Sequence, residues 1–205
     1  MEDLIAVGAE AVVTFSEFLG RKAIKKTRVP KMYRHPELDG RIRSTRTKNE
    51  VRIMRSARSD VVKTPVIYDV NMSDCSITME FINGTRVKEL LDRNPSSSEP
   101  VCSKIGEALA DMHNRGIVHG DFTTSNMILM DDGKLCIIDF SLGGINAEAE
   151  EMGVDLRLLH RAFSSAHFTV TRGFEMVMNA YVRNKTDSEI VIRKTEEIQN
   201  RARYT

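Results

Sequence analysis

The sequence predicts an α+β chain in two lobes: a small β-rich part with one helix, residues 1–82, and a reduced α-rich part, residues 83–205. Three observations carry this. Short alternating apolar runs, broken by turn residues, occupy residues 3–26 and return at 66–80. Beyond Asn83-Gly84 the apolar residues recur at helical spacing. Within that helical part a polar loop, 119–126, runs into a tight apolar hairpin that ends at Asp139.

Residues 3–26 read as three short strands, with Leu19-Gly20-Arg21 turning the second into the third. A helix is expected over 44–58, with Ser44 or Thr45 as its cap. Residues 66–70 and 76–80 form a hairpin around Asn71-Met72-Ser73-Asp74, and Asn83-Gly84 marks the lobe boundary. Residues 96–100, Ser-Ser-Ser-Glu-Pro, start a helix whose stripe is Val101, Ile105, Leu109 and Met112 and which Gly116 closes. Residues 127–130 and 135–138 are the strands of the polar hairpin, turned by Asp131-Asp132-Gly133. Phe174, Val177, Met178, Tyr181 and Val182 form another stripe, read as core, and 188–203 is a charged helix carrying Arg201 and Arg203.

A hydrophobic content of 41% beside 29% charged residues is that of a globular chain able to build a core. No apolar run approaches the ~20 residues of a membrane span, and Met1-Glu2-Asp3 is not a signal peptide, so no membrane association is expected. The cysteines, Cys75, Cys102 and Cys136, are dispersed without CxxC spacing, which argues against zinc or a disulfide framework and fits a reducing compartment. A net charge of +1 conceals an asymmetry: residues 21–58 hold fourteen Lys and Arg against Glu37, Asp39 and Glu50. That local excess is larger than solubility requires and predicts a polyanionic partner.

The chemistry is concentrated in the polar block. Asp121 precedes Asn126 by five residues, and the hairpin that follows delivers Asp139-Phe140-Ser141 to the same end of a small sheet. Two carboxylates and an amide oxygen converging there suit a hard cation and a phosphate. Phosphoryl transfer relies on positioning and charge neutralisation, and the protein-kinase set provides them with a loop Asp, an Asn, a metal-binding Asp, a strand lysine and a helix glutamate. Asp121, Asn126 and Asp139 match the first three in order and spacing. Upstream, Ala23-Ile24-Lys25-Lys26 ends the third strand, while Glu50 shares a helix face with Ile53, Met54 and Ala57. A carboxylate on an apolar face needs a cation, and an inward-pointing strand lysine supplies one.

The sequence resembles the protein-kinase-like superfamily and, more closely, the atypical kinase/ATPase subunits of the KEOPS (EKC) complex, the p53-related protein kinase group. The resemblance runs through nearly the whole chain. Its carriers are Gly8-Ala9-Glu10-Ala11, Lys26-Thr27-Arg28-Val29-Pro30-Lys31, Tyr33-Arg34-His35-Pro36, Arg46-Thr47-Lys48-Asn49-Glu50, His119-Gly120-Asp121, Thr123-Thr124-Ser125-Asn126 and Gly153-Val154-Asp155-Leu156. It implies a bilobal kinase-like fold with Mg-ATP (ATP and Mg2+) in the cleft. Lys26, with Lys25 facing outward, would hold the α- and β-phosphates, and Glu50 would orient Lys26. Asn126 and Asp139 would bind the metal, and Asp121 would orient or deprotonate the attacking hydroxyl or water. Gly8, Ala9, Glu10 and Ala11 would cover the phosphates, while Met79, Glu80 and Ile82 would line the adenine slot. His119 reads as structural, and Asp155 as a buttress of the catalytic loop.

The resemblance also implies the setting: ATP-dependent support of threonylcarbamoyl-adenosine formation on tRNA, beside the tRNA threonylcarbamoyl-transferase subunit and the other KEOPS subunits, with tRNA as a partner and a cytoplasmic and nuclear location. The chain departs from ordinary protein kinases. Gly8 is the single glycine of its phosphate-covering region, Gly120 stands where Arg is usual, and Thr123 replaces a lysine. Only 11 residues separate Ser141 from Gly153, too few for a full activation segment, so efficient phosphorylation of free proteins is not expected. Ser141 stands where Gly is usual after Asp-Phe, which changes the backbone freedom of that turn. The rival readings are a small-molecule phosphotransferase, for which residues 83–205 leave little room for a substrate pocket, and a catalytically silent pseudokinase scaffold, which would have no use for an intact Lys/Glu/Asp/Asn/Asp set.

Overall fold

A computed structural model describes residues 4–8, 10–95 and 98–201. The N-terminal part is a five-stranded antiparallel sheet built from β1 (Leu4–Val7), β2 (Val12–Phe18), β3 (Arg21–Thr27), β4 (Ile67–Asn71) and β5 (Ser76–Glu80), in the order β1-β2-β3-β5-β4. The β2–β3 connection is a two-residue turn in which Leu19 and Gly20 are both left-handed (φ 49° and 75°), the geometry whose twist matches that of a hairpin. β3 is thereby central, with Lys26 paired to Val13 of β2 and to Ile77 of β5.

Between β3 and β4 runs α1 (Pro36–Ala57), which buries Thr47, Glu50, Ile53, Met54 and Ala57 along one face. The helix expected over 44–58 therefore begins eight residues earlier. Pro36 occupies the first turn, where its missing N–H costs nothing, and Glu37 and Asp39 favour the positive end of the helix dipole. Ser44 and Thr45 do not cap it, being well inside the helix.

The second part opens with β6 (Gly84–Arg86) and α2 (Val87–Arg93), followed by α3 (Glu99–Asn114) and β7 (Ile117–Val118). β8 (Met127–Met130) and β9 (Leu135–Ile137) form the expected hairpin and join β6 in a sheet ordered β6-β8-β9, while β10 (Gly144–Ile145) pairs with β7. Then come α4 (Ala149–Ala166), α5 (Gly173–Asn184) and α6 (Ser188–Arg201). Glu148 and Glu151 form a reciprocal capping box at the start of α4. α3 lies chiefly against α5, and α4 against α6. Their core holds Ile105, Leu109, Met112, Leu156, Leu159, Val177 and Tyr181, all essentially buried, and burying each of the aliphatic ones is worth about 1.5–3 kcal/mol.

The expected stripe on α5 needs one correction: Val182 is 45% exposed, because residue 182 lies past the face that Val177, Ala180 and Tyr181 turn inward. α3 starts at Glu99 after Ser98; Ser96 and Ser97, part of the expected start, lie outside the described residues. So do Ala9, Arg203 and the rest of the tail after Arg201. Among the described residues no helix is long and apolar enough to cross a membrane.

Candidate active site

The Lys26 ammonium group bridges the two parts at the site. Lys26 on β3 is nearly buried, and its Nζ lies 2.7 Å from Glu50 Oε1 on α1 and 2.7 Å from Asp139 Oδ1 just after β9. The second oxygen of Glu50 accepts from Arg28, Nη2 to Oε2 2.5 Å. Glu50 is fully buried and Arg28 almost so. Burying these charges is tolerable because two cations and two carboxylates compensate one another at hydrogen-bond distance. Adjacent residues of a strand point to opposite faces, so Lys25 is sent the other way, where it pairs with Asp74 at 3.2 Å near solvent.

Asp139 is held in a left-handed conformation (φ 64°), tolerable for Asp though strained for most residues. The positive φ falls here and not at Ser141, so the replacement of glycine by serine demands no forbidden backbone. Instead Ser141 Oγ donates to Asp139 Oδ1 at 2.7 Å. Burial alone would raise the pKa of Asp139, but the Lys26 charge and hydrogen bond, the Ser141 hydroxyl and His119 outweigh it and bring it down to about 2. The carboxylate is therefore ionised at neutral pH.

The loop between β7 and β8 is fixed from beneath. Asp155, fully buried on α4, accepts the backbone N–H of His119 on Oδ2 (2.7 Å) and of Gly120 on Oδ1 (2.8 Å). Gly120 has φ 77°, and a Cβ there would meet the Leu142 carbonyl oxygen at 2.2 Å, which accounts for glycine at the position where ordinary kinases carry arginine. His119 Nδ1 faces the N–H of Asp121 (3.2 Å) and so accepts, while Nε2 faces the Ile138 carbonyl (2.9 Å) and so donates. His119 is thus a buried strut between the loop and the end of the hairpin.

Asn126 donates its Nδ2 to the Asp121 carbonyl and to Asp121 Oδ2, both at 2.9 Å, which leaves its amide oxygen as the end available to a cation. The Ile138 N–H donates to the Asn126 carbonyl at 3.0 Å, so Asn126 and the residue before Asp139 are direct neighbours across the chain. Among the described residues no group of three His, Cys, Asp or Glu is poised for a metal. A pair of oxygen donors, one an ionised carboxylate, instead fits Mg2+, which takes one or two protein oxygens and completes its shell with phosphate and water.

The other predicted binding residues are placed unevenly. Gly8 and Ala11 close a turn, Gly8 N–H to Ala11 O at 2.9 Å, between β1 and β2. The carboxylate of Glu10 is occupied on the α1 side, 3.8 Å from Arg28, 3.7 Å from Arg34 and hydrogen-bonded to Arg46. Met79 is buried within the sheet, Glu80 accepts from the Val66 N–H through Oε2 (3.0 Å), and Ile82 is half-buried beyond the end of β5. Glu80 therefore braces the neighbouring strand with its side chain.

Two features escaped the sequence reading. Arg28 lies two residues after Lys26, the spacing that returns a side chain to the same strand face, so its signal was present. The chain Asp92–His167–Thr124, with His167 Nδ1 at 2.9 Å from Asp92 and Nε2 at 2.7 Å from the Thr124 hydroxyl, ties α2 and the end of α4 to the short 3-10 turn Thr124–Asn126. Nothing in the sequence links those three positions.

A five-stranded sheet with one helix, a helical second part, and a lysine bridging a helix glutamate and a hairpin-exit aspartate define a kinase-like protein. A family model described as RIO domain matches residues 12–169. The chain is 41% identical over 211 residues to KEOPS complex subunit Bud32 of Pyrococcus abyssi, covering 98% of this chain and 96% of that protein. It is 34% identical to EKC/KEOPS complex subunit Tp53rkb of Mus musculus, covering 86% of that protein. It is also 42% identical to a probable bifunctional tRNA threonylcarbamoyladenosine biosynthesis protein of Methanosarcina mazei, of whose length it spans 36%. The chain belongs to the Bud32-type KEOPS family of RIO-domain atypical kinases.

Proposed function

We propose that the chain is a Mg-ATP-dependent atypical Ser/Thr kinase/ATPase that serves a KEOPS complex in forming threonylcarbamoyl-adenosine on tRNA. The observation that carries this reading is Lys26 Nζ held at 2.7 Å from both Glu50 and Asp139. That arrangement keeps a cation where the α- and β-phosphates are to lie and holds a carboxylate beside it for the metal. Mg2+ supplies charge neutralisation on the transferring phosphoryl group when bound. Asn126 and Asp139 would hold it. Asp121, kept in place by Asn126, orients the attacking hydroxyl or water and accepts its proton. Asp155 and His119 keep the loop rigid, so little reorganisation accompanies the reaction.

Gly8 and Ala11 cover the phosphates, and the edge from Met79 to Ile82 receives the adenine, with residue 82 ending the first lobe and 83 beginning the second. The relatives' names supply the complex and the tRNA modification. The partner is the tRNA threonylcarbamoyl-transferase subunit, which the bifunctional relatives, about three times as long as this chain, suggest is physically close. The three free thiols suit a reducing location, cytoplasm or nucleus. ATP turnover measured with and without co-purified partners and bulk tRNA tests the proposal; a wild type that binds nucleotide yet never turns over under either condition overturns it.

A further inference from the structure

The two faces of α1 carry charge in opposite ways. Its inner face holds Glu50, the one carboxylate between Arg41 and Ala57. Its outer face exposes Arg41, Thr45, Lys48, Arg52 and Arg55, a stripe that recurs every three or four residues and so lies along a single side of the helix. Arg43 and Arg46 are turned to Asp39 and Glu10 and are neutralised there. The four basic residues of the stripe have no ion-pair partner among the described residues; Arg52 donates only to Asn49 at 3.1 Å. Ile42 and Val51 each line a shallow groove beside the stripe.

Like charges spaced three and four residues apart repel and destabilise a helix. A row of them without interleaved acids is therefore unfavourable for the isolated chain and becomes favourable when a polyanion covers it. From Arg41 to Arg55 the row extends about 21 Å at 1.5 Å per residue, long enough to follow a run of phosphates. Because its four basic members are long side chains each bearing a cation, the row recognises repeating negative charge and not a base sequence.

We propose that the outer face of α1 is an RNA-docking surface on which Arg41, Lys48, Arg52 and Arg55 contact consecutive backbone phosphates. The choice of RNA over an acidic protein rests on the function proposed above, and charge complementarity along the row supports it. RNA held here would lie on the back of the helix whose inner face positions Lys26 through Glu50.

The test uses the full chain and fluorescent bulk tRNA, with affinity measured across a salt series. The variant Arg41→Gln/Lys48→Gln/Arg52→Gln/Arg55→Gln removes the charges while keeping good helix formers. A control, Lys88→Gln/Arg93→Gln/Lys104→Gln/Arg183→Gln, removes the same charge from exposed positions elsewhere. The stripe variant is expected to lose at least ~10-fold in affinity at low salt and to flatten the log-affinity against log-salt slope by about 1 per contact removed, while the control stays near wild type. Circular dichroism melts confirm that both fold. Equal losses in the two variants, an unchanged stripe variant, or polyglutamate bound as tightly as tRNA would each overturn the surface. Docking failure with ATP turnover intact would remove the surface and leave the enzymatic reading, whereas stripe-dependent docking without turnover would do the reverse.

Discussion

The Lys26 cluster and the Asp121 loop lie at the same site but are held by opposite means. Around Lys26 the fastenings are chiefly ion to ion, Lys26 and Arg28 on one side and Glu50 and Asp139 on the other, with the Ser141 hydroxyl adding a neutral hydrogen bond to Asp139. The loop is fastened by backbone N–H groups donating to Asp155 and to His119 Nδ1. Under the proposed function the charges would exchange partners when a phosphate and a metal enter, since Lys26 would satisfy a phosphate as well as it satisfies Asp139. A backbone N–H on a buried carboxylate has no such alternative. The difference separates a part built to change partners from a part built to stay still.

Breaking the ionic side should have the largest consequence. Glu50→Ala leaves Arg28 with only the more distant Glu10 and Lys26 with Asp139 alone, and should cost about 3–5 kcal/mol of stability, read from urea unfolding. A loss below about 1 kcal/mol would show that water already screens the cluster. Next comes Asp121→Ala, which should lower ATP turnover roughly a hundredfold or more with nucleotide affinity almost unchanged, because under the proposed function the residue acts in the transition state. Parallel losses in affinity and turnover would place Asp121 in ground-state binding instead.

Asp155→Asn probes the rigid side. The amide can still accept one N–H but presents its NH2 to the other, leaving a buried mismatch worth about 1–3 kcal/mol and a loop less well held. Unfolding should shift, and turnover should fall while nucleotide affinity stays constant; an unchanged melt would contradict the strut. Acid provides a finer probe of Asp139. Its folded pKa, about 2, is below the 3.8 of an ordinary aspartate, so its stabilisation is fully present above pH 4 and is lost as pH falls from 4 towards 2. The stability gap between wild type and Asp139→Asn should close over that window, and a gap that stayed constant would mean that the carboxylate is not held by Lys26.

The smallest effect belongs to Lys25→Ala. Its pairing with Asp74 is near solvent, so removal should change stability by less than about 1 kcal/mol and leave most ATP turnover, whereas Lys26→Ala should abolish turnover. Equal effects of the two substitutions would erase the distinction between the faces of β3.

Much of this was legible in the sequence because its determinants are local. Two adjacent lysines on a strand cannot face the same way, so the choice between Lys25 and Lys26 reduced to a register question. Asp121, Asn126 and Asp139 were grouped by a loop and a hairpin whose turn residues are explicit. Asp155 was expected beneath the loop from the resemblance, and its two backbone hydrogen bonds are what the structure adds. The start of α1 was misjudged because Ser44 and Thr45 resemble caps locally, although Thr47 in fact bonds back to the Arg43 carbonyl within the helix.

Other features depended on which distant segments meet. The carboxylate of Glu10 is met by three guanidinium groups, those of Arg28 just past β3, Arg34 in the loop before α1 and Arg46 on α1 itself. The carboxylate of Glu80 accepts the backbone N–H of Val66, just before the neighbouring strand. His167 joins Asp92 to Thr124 across 75 and 43 residues of sequence. Periodicity and spacing specify which face a side chain occupies and which residues a short turn brings together. Which charge a buried carboxylate finally pairs with is decided by packing, because that choice minimises the cost of burial over the whole assembled interior.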